Sequence, residues 1–127
     1  MGNDAVADNT QMIALFRSID TKDTRQFLTF LTEDAQFRFG NQPPAVGAQT
    51  IASMLDGFFP SIKALRHTIL NNWTAADHVI CEGTVTYTRH NGSTLCVPFV
   101  DVFAMTGALI KDFRIYVDVS QLYVTQQ

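Results

Sequence analysis

Val97-Pro98-Phe99-Val100-Asp101-Val102-Phe103-Ala104 is a strongly apolar run with one carboxylate in its middle. β-Branched and aromatic side chains fit a pleated, largely buried surface, so the run reads as a central strand. Asp101 has no place there on hydrophobic grounds, because burying an unpaired charge is costly. Either it has a dedicated partner, or its pKa is raised and it does chemistry.

The neighbours of this strand follow from hairpin register. His90-Asn91-Gly92 suits a three-residue loop with Gly92 in the left-handed position. Pairing Arg89 with Ser93 sets Tyr87 opposite Leu95, Val85 opposite Val97, Gly83 opposite Phe99 and Cys81 opposite Asp101. A one-residue slip would set threonines against Phe99 and Val97, so the first register is preferred. The second hairpin turns at Thr106-Gly107-Ala108, and pairing Met105 with Leu109 sets Asp101 beside Phe113, Phe99 beside Ile115 and Val97 beside Val117. One face then carries Val85, Tyr87, Val97, Phe99, Asp101, Phe103, Phe113, Ile115 and Val117. The other carries Glu82, Thr84, Thr86, Pro98, Val100, Arg114, Tyr116 and Asp118, and Glu82 can meet Arg114 across Val100. Cys81 and Cys96 fall on opposite faces, about 17 Å apart along the strand, and are expected as free thiols.

Upstream, the apolar residues of 5–18 recur with a helical period from Val6 to Phe16. Asp20-Thr21-Lys22 breaks the pattern, and Asp23 or Thr21 can cap a second helix with Phe27, Leu28, Phe30 and Leu31 as its buried stripe. Residues 34–39 alternate as a short strand with Phe37 and Phe39 on one face. Residues 46–59 form a third helix stopped by Pro60, and residues 65–73, 79–89, 95–105 and 109–119 are four longer strands. Helices first and hairpins after make an α+β pattern, with helices on one face of an antiparallel sheet.

The bulk numbers bound the function. A chain of 127 residues, 46% hydrophobic and 17% charged, makes one globular domain with a real core. A net charge of −3 without a Lys/Arg cluster argues against nucleic acid and anionic membranes as partners. Ten Phe against three Tyr and one Trp suit either a lined apolar cavity or a Phe-rich core. No run is long enough to span a bilayer, and Met1-Gly2-Asn3-Asp4 leads into no secretion signal, so a reduced cytoplasmic protein is expected. No Cys/His/carboxylate spacing of metal type occurs, so neither metal nor cofactor is expected.

Several stretches together carry a resemblance: Phe30-Leu31-Thr32-Glu33-Asp34-Ala35 with Gly47, Arg66-His67-Thr68-Ile69-Leu70-Asn71, Pro98-Phe99-Val100-Asp101-Val102-Phe103, and the run from Leu109 to Asp118. Over almost the whole chain, residues 1–127, the sequence resembles the nuclear transport factor 2-like superfamily, in its SnoaL-like polyketide cyclase and ketosteroid isomerase-like branch. The resemblance implies a cone-shaped α+β fold of three N-terminal helices on a curved, mainly antiparallel sheet that encloses a pocket. It also implies a homodimer through the other sheet face. Ketosteroid isomerases use an Asp base on the first strand, a Tyr on the first helix and a protonated Asp at the oxyanion. Phe39 stands where the base should be, Leu15 or Phe16 where the Tyr should be, and only Asp101 matches. The Arg/Asp pair and further Asp of limonene epoxide hydrolases fall on Gly83, Val85 and Ile115. Neither reaction is therefore expected.

Two roles stay open for Asp101: a pocket acid or base, or a structural carboxyl bonded to His67, Tyr87 or a backbone N–H. His67 is its candidate partner or an independent base, since imidazole titrates near neutrality, but its face is undecided. Phe37, Phe39, Val85, Tyr87, Phe99, Phe103, Phe113, Ile115 and Trp73 are the candidate ligand-binding residues. The function expected is a cyclase or isomerase acting on a small hydrophobic carbonyl compound. The alternative is a non-catalytic module or accessory subunit holding a small apolar ligand.

Overall fold

The computed structural model describes residues 9–124, so Val6 and the start of the first expected helix lie outside the described residues. The elements follow in the order α1 (Asn9–Asp20), α2 (Thr24–Leu28), β1 (Leu31–Phe39), β2 (Ala45–Val46), α3 (Ala48–Phe58), β3 (Ala64–Ala75), β4 (His78–Thr88), β5 (Thr94–Thr106) and β6 (Leu109–Val117), with a short 3-10 turn at Phe59–Ser61. All six strands form one sheet in the order β2-β1-β6-β5-β4-β3, antiparallel except where β1 runs parallel to β6. This is the expected α+β architecture, three helices on a curved, mainly antiparallel sheet.

Capping and turn chemistry set the boundaries. The Asp23 carboxylate accepts from the backbone N–H of Gln26 at 3.1 Å and starts α2. The helix ends earlier than its apolar stripe suggests. The carbonyl of Phe30 accepts the N–H of Ile110 at 2.9 Å, which draws the chain out into β1, so Leu31 is a strand residue. Met12, Leu15 and Phe16 of α1, Phe27 of α2, and Ile51 and Leu55 of α3 are buried in one core with Val85, Phe99, Phe103 and Phe113 of the sheet.

The β4–β5 hairpin has the expected register: Tyr87 faces Leu95, Val85 faces Val97, and Cys81 faces Asp101. Gly92 takes a φ of +90° in its loop. The β5–β6 register differs by two residues. Asp101 lies opposite Ile115, Phe103 opposite Phe113 and Phe99 opposite Val117, because Gly107-Ala108 form a tighter turn and a bulge follows between Ala104 and Met105. A two-residue shift preserves every face, so the interior set survives. It does move Arg114 opposite Val102. There its guanidinium pairs with Asp112, Nη2 to Oδ2 at 2.9 Å, while Glu82 accepts from Asn71 at 2.8 Å. The expected Glu82–Arg114 meeting is therefore not made. Cys81 is buried and Cys96 exposed, both free thiols, as the face assignment requires.

A bulge between Ile69 and Asn71 bends β3 against β4. Gly83 sits opposite it, and a Cβ there would lie 1.9 Å from the carbonyl oxygen of Thr68. Backbone cannot yield as a flexible side chain does. Gly83→Ala is expected to cost roughly 1–3 kcal/mol through overpacking, read as a lower denaturant midpoint at constant m-value. An unchanged midpoint would show that the strands tolerate separation at the bulge.

Candidate functional site

A cavity of about 1040 Å³ lies between the helices and the inner sheet face. Phe37 and Phe39 of β1, Val85 and Tyr87 of β4, Phe99 of β5 and Ile115 of β6 line it. Loop residues 40–44, the α3 side chains Met54 and Phe58, and Asp118, Val119, Ser120, Leu122 and Tyr123 also contribute to the wall. His67 and Asp101 are its central polar groups, and among the described residues neither lysine nor arginine lines it.

Three of the expected ligand-binding residues lie elsewhere. Phe103 and Phe113 are fully buried against each other, ring centroids 4.5 Å apart, in the packed core outside the cavity wall. Trp73 follows the β3 bulge, which reverses side-chain parity. Asn72 now faces Cys81, whereas Trp73 pairs with Ile80 on the outer face and is 50% exposed. No sequence signal marked that bulge on β3 itself; Gly83 on the facing strand was the available clue.

Asp101 is 2% exposed, and its Oδ1 has no hydrogen-bond partner. Burial raises its pKa well above the ordinary carboxylate range. Burial thus favours the neutral acid form, which can donate a hydrogen bond into an apolar space. Burial likewise raises the pKa of Tyr87, and an ionised Asp101 would raise it further, so the phenol keeps its proton. The Cys81 thiol is pushed up to about 12, first by burial and then by Asp101. It is no nucleophile.

His67 does not pair with Asp101. Its partner is Asp20, the last residue of α1, whose Oδ1 lies 2.6 Å from Nδ1 and whose Oδ2 accepts the His67 backbone N–H at 2.9 Å. A carboxylate only accepts, so Nδ1 carries a proton, and in the neutral ring the lone pair is on Nε2. Phe16 and Phe99 hold the ring at centroid distances of 5.1 Å and 5.2 Å. The sequence reading missed Asp20 as a functional residue and took it for a helix breaker. A carboxylate at the negative end of a helix dipole is unfavourable unless it has a partner, and that was the usable signal.

His67 faces Val85, which faces Val97, whereas Asp101 lies farther along β5. The His67 ring nevertheless packs on Phe99, two residues before Asp101 on the same face of β5. The cavity wall thus carries an imidazole oriented by Asp20 and a buried carboxyl among aromatic side chains.

A family model described as a SnoaL-like domain matches residues 12–113. No curated protein sequence matches the chain significantly. Solved structures share its fold at low identity. TerC co-crystallised with polyporic acid is 17% identical with a TM-score of 0.77, over 88% of this chain and 92% of that one. A protein of ketosteroid isomerase-like fold from Catenulispora acidiphila, in complex with trimethylamine, is 17% identical with a TM-score of 0.79, over 86% and 85%. A candidate polyketide cyclase from Xanthomonas campestris pv. campestris is 22% identical with a TM-score of 0.73, over 87% and 90%.

Proposed function

The chain belongs to the SnoaL-like domain family of the nuclear transport factor 2-like superfamily, and on that premise we propose that its cavity performs cyclase- or isomerase-type acid–base chemistry on a small hydrophobic carbonyl compound. The observation that carries this reading is that His67, held by Asp20 at 2.6 Å, lines the same cavity as the buried Asp101. Nε2 of His67 removes a proton from a carbon conjugated to the carbonyl. The electron pair of the broken C–H bond moves through the conjugated system to oxygen, where neutral Asp101 donates a hydrogen bond or its proton. Return of the proton to another carbon gives an isomer; attack on a second carbonyl closes a ring. The ligands co-crystallised with TerC and with the Catenulispora protein support small-molecule binding in this fold.

A non-catalytic binding module or accessory subunit is the second reading, favoured by Phe39 in the place of a ketosteroid isomerase's base. Incubation with conjugated ketones in D2O separates the two. Deuterium incorporated at carbon, followed by mass spectrometry, supports the enzyme; binding with no incorporation across the panel contradicts it.

The assembly belongs to the same proposal. The outer sheet face exposes Trp73 at 50% and Tyr116 at 55%, which favours a homodimer through the sheet. No helix among the described residues is long and apolar enough to cross a membrane. Sedimentation at tens of micromolar should give twice the mass of one chain; a monomer there would remove the dimer.

A further inference from the structure

The chain leaves the sheet at Val117, and residues 118–123 fold back on the cavity. Asp118, Val119, Ser120, Leu122 and Tyr123 all contribute to its wall. This strap carries its own small turns: Asp118 Oδ1 accepts the Ser120 N–H at 2.9 Å, and the Leu122 N–H reaches the Val119 carbonyl at 2.9 Å. Its ties to the sheet are of a different kind. Arg89, at the end of β4, donates from Nε to the Leu122 carbonyl and from Nη2 to the Gln121 carbonyl, both at 2.9 Å. The same guanidinium anchors itself on the facing strand, from Nη1 to Ser93 Oγ at 3.0 Å. At the far end the Tyr123 hydroxyl meets Ser61 Oγ at 2.8 Å. Leu122 is buried beneath the strap at 1% exposure, but its neighbours Gln121 and Tyr123 are exposed.

A planar fork with donors to two successive carbonyls fixes a segment in one geometry, and a lysine cannot replace it. A wall held by the Arg89 fork, the Tyr123–Ser61 hydrogen bond and the packing of Leu122 and Val119 opens locally at less cost than a strand paired on both sides. We propose that Arg89 is the latch of a movable wall, holding residues 118–123 across the cavity so that ligand enters and leaves by release of this strap. The inference goes beyond the proposed chemistry, because it concerns the exchange of any ligand the cavity holds. Arg89 is a positioning residue in this scheme and touches no reacting atom.

The probe is Nile red, an uncharged apolar dye, followed by stopped-flow fluorescence with the full chain. Arg89→Met is expected to raise the association and dissociation rate constants together, each roughly tenfold, the equivalent of about 1.4 kcal/mol in the opening equilibrium. The Kd should move by less than about threefold, because the inner wall is untouched. Arg89→Lys should fall between the two. Amide hydrogen exchange supplies the second readout: the Leu122 amide should exchange faster in Arg89→Met while β4 and β5 amides keep their protection. Unchanged rate constants with unchanged Leu122 exchange would overturn the latch, as would loss of protection throughout the sheet. A rise in dissociation alone would make the strap a contact surface and not a gate. Failure of the wild type to bind Nile red would count against the cavity reading; the exchange arm would still decide the latch.

Discussion

Asp101→Asn is expected to unfold at a higher temperature than wild type at pH 8, with the advantage shrinking as the pH falls toward 4. The sign follows from where the proton sits. Burial raises the folded-state pKa of Asp101 above its ordinary value of 3.8. Between those two values the folded protein binds more protons at this site than the unfolded chain, so stability declines as pH rises. The decline is up to about 1.4 kcal/mol for each pH unit until the folded-state value is passed. Asparagine keeps the shape and removes the linkage. Other carboxylates titrate alike in both proteins, so the difference between the two melting curves isolates this one group. An offset that does not vary with pH would reflect only the exchange of one buried polar group for another. A variant less stable than wild type, most of all at pH 8, would show that Asp101 is an ionised structural residue with a partner.

The second large effect concerns the base. His67→Gln is expected to lower carbon-deuterium exchange of a turned-over ketone by 10²–10⁴-fold, the usual contribution of a positioned general base. Asp20→Asn should cost about 10²-fold while leaving His67 in place. An asparagine amide donates where the carboxylate accepted, which puts the imidazole proton on Nε2 and removes the lone pair from the cavity side. The two losses should not add, because both remove the same base. Full activity in Asp20→Asn would reduce the 2.6 Å contact to a tie between α1 and β3.

The sheet was readable because side chains alternate with a period of two, and a wrong register would have set threonines against Phe99 and Val97. The β4–β5 hairpin came out as read. The β5–β6 hairpin was read two residues out, yet its faces were right, because parity constrains faces more tightly than turn length constrains register. Asp101 was legible for the same reason: a lone carboxylate in Val97–Ala104 conflicts with every neighbour. Asp20 was not, since its role needs the end of α1 to meet β3, a contact 47 residues apart that no local pattern encodes. Trp73 went wrong for a related reason. One bulge reverses parity for the rest of β3, and its cause is the missing side chain of Gly83 on the neighbouring strand. The strap after Val117 read as continued strand, because Val117 and Val119 alternate with polar residues whether or not a partner strand continues beside them.

The proposed chemistry rests on Asp101 being a neutral carboxylic acid in an aromatic-walled cavity. Carbon-13 NMR of the aspartate side-chain carboxyls, with Asp101→Asn used to assign the resonance, tests it most directly. The Asp101 carbon is expected to stay at its protonated shift well above the pH at which exposed aspartates such as Asp77 and Asp118 have ionised. An Asp101 resonance that moves to the ionised position with the others, near pH 4, would contradict it.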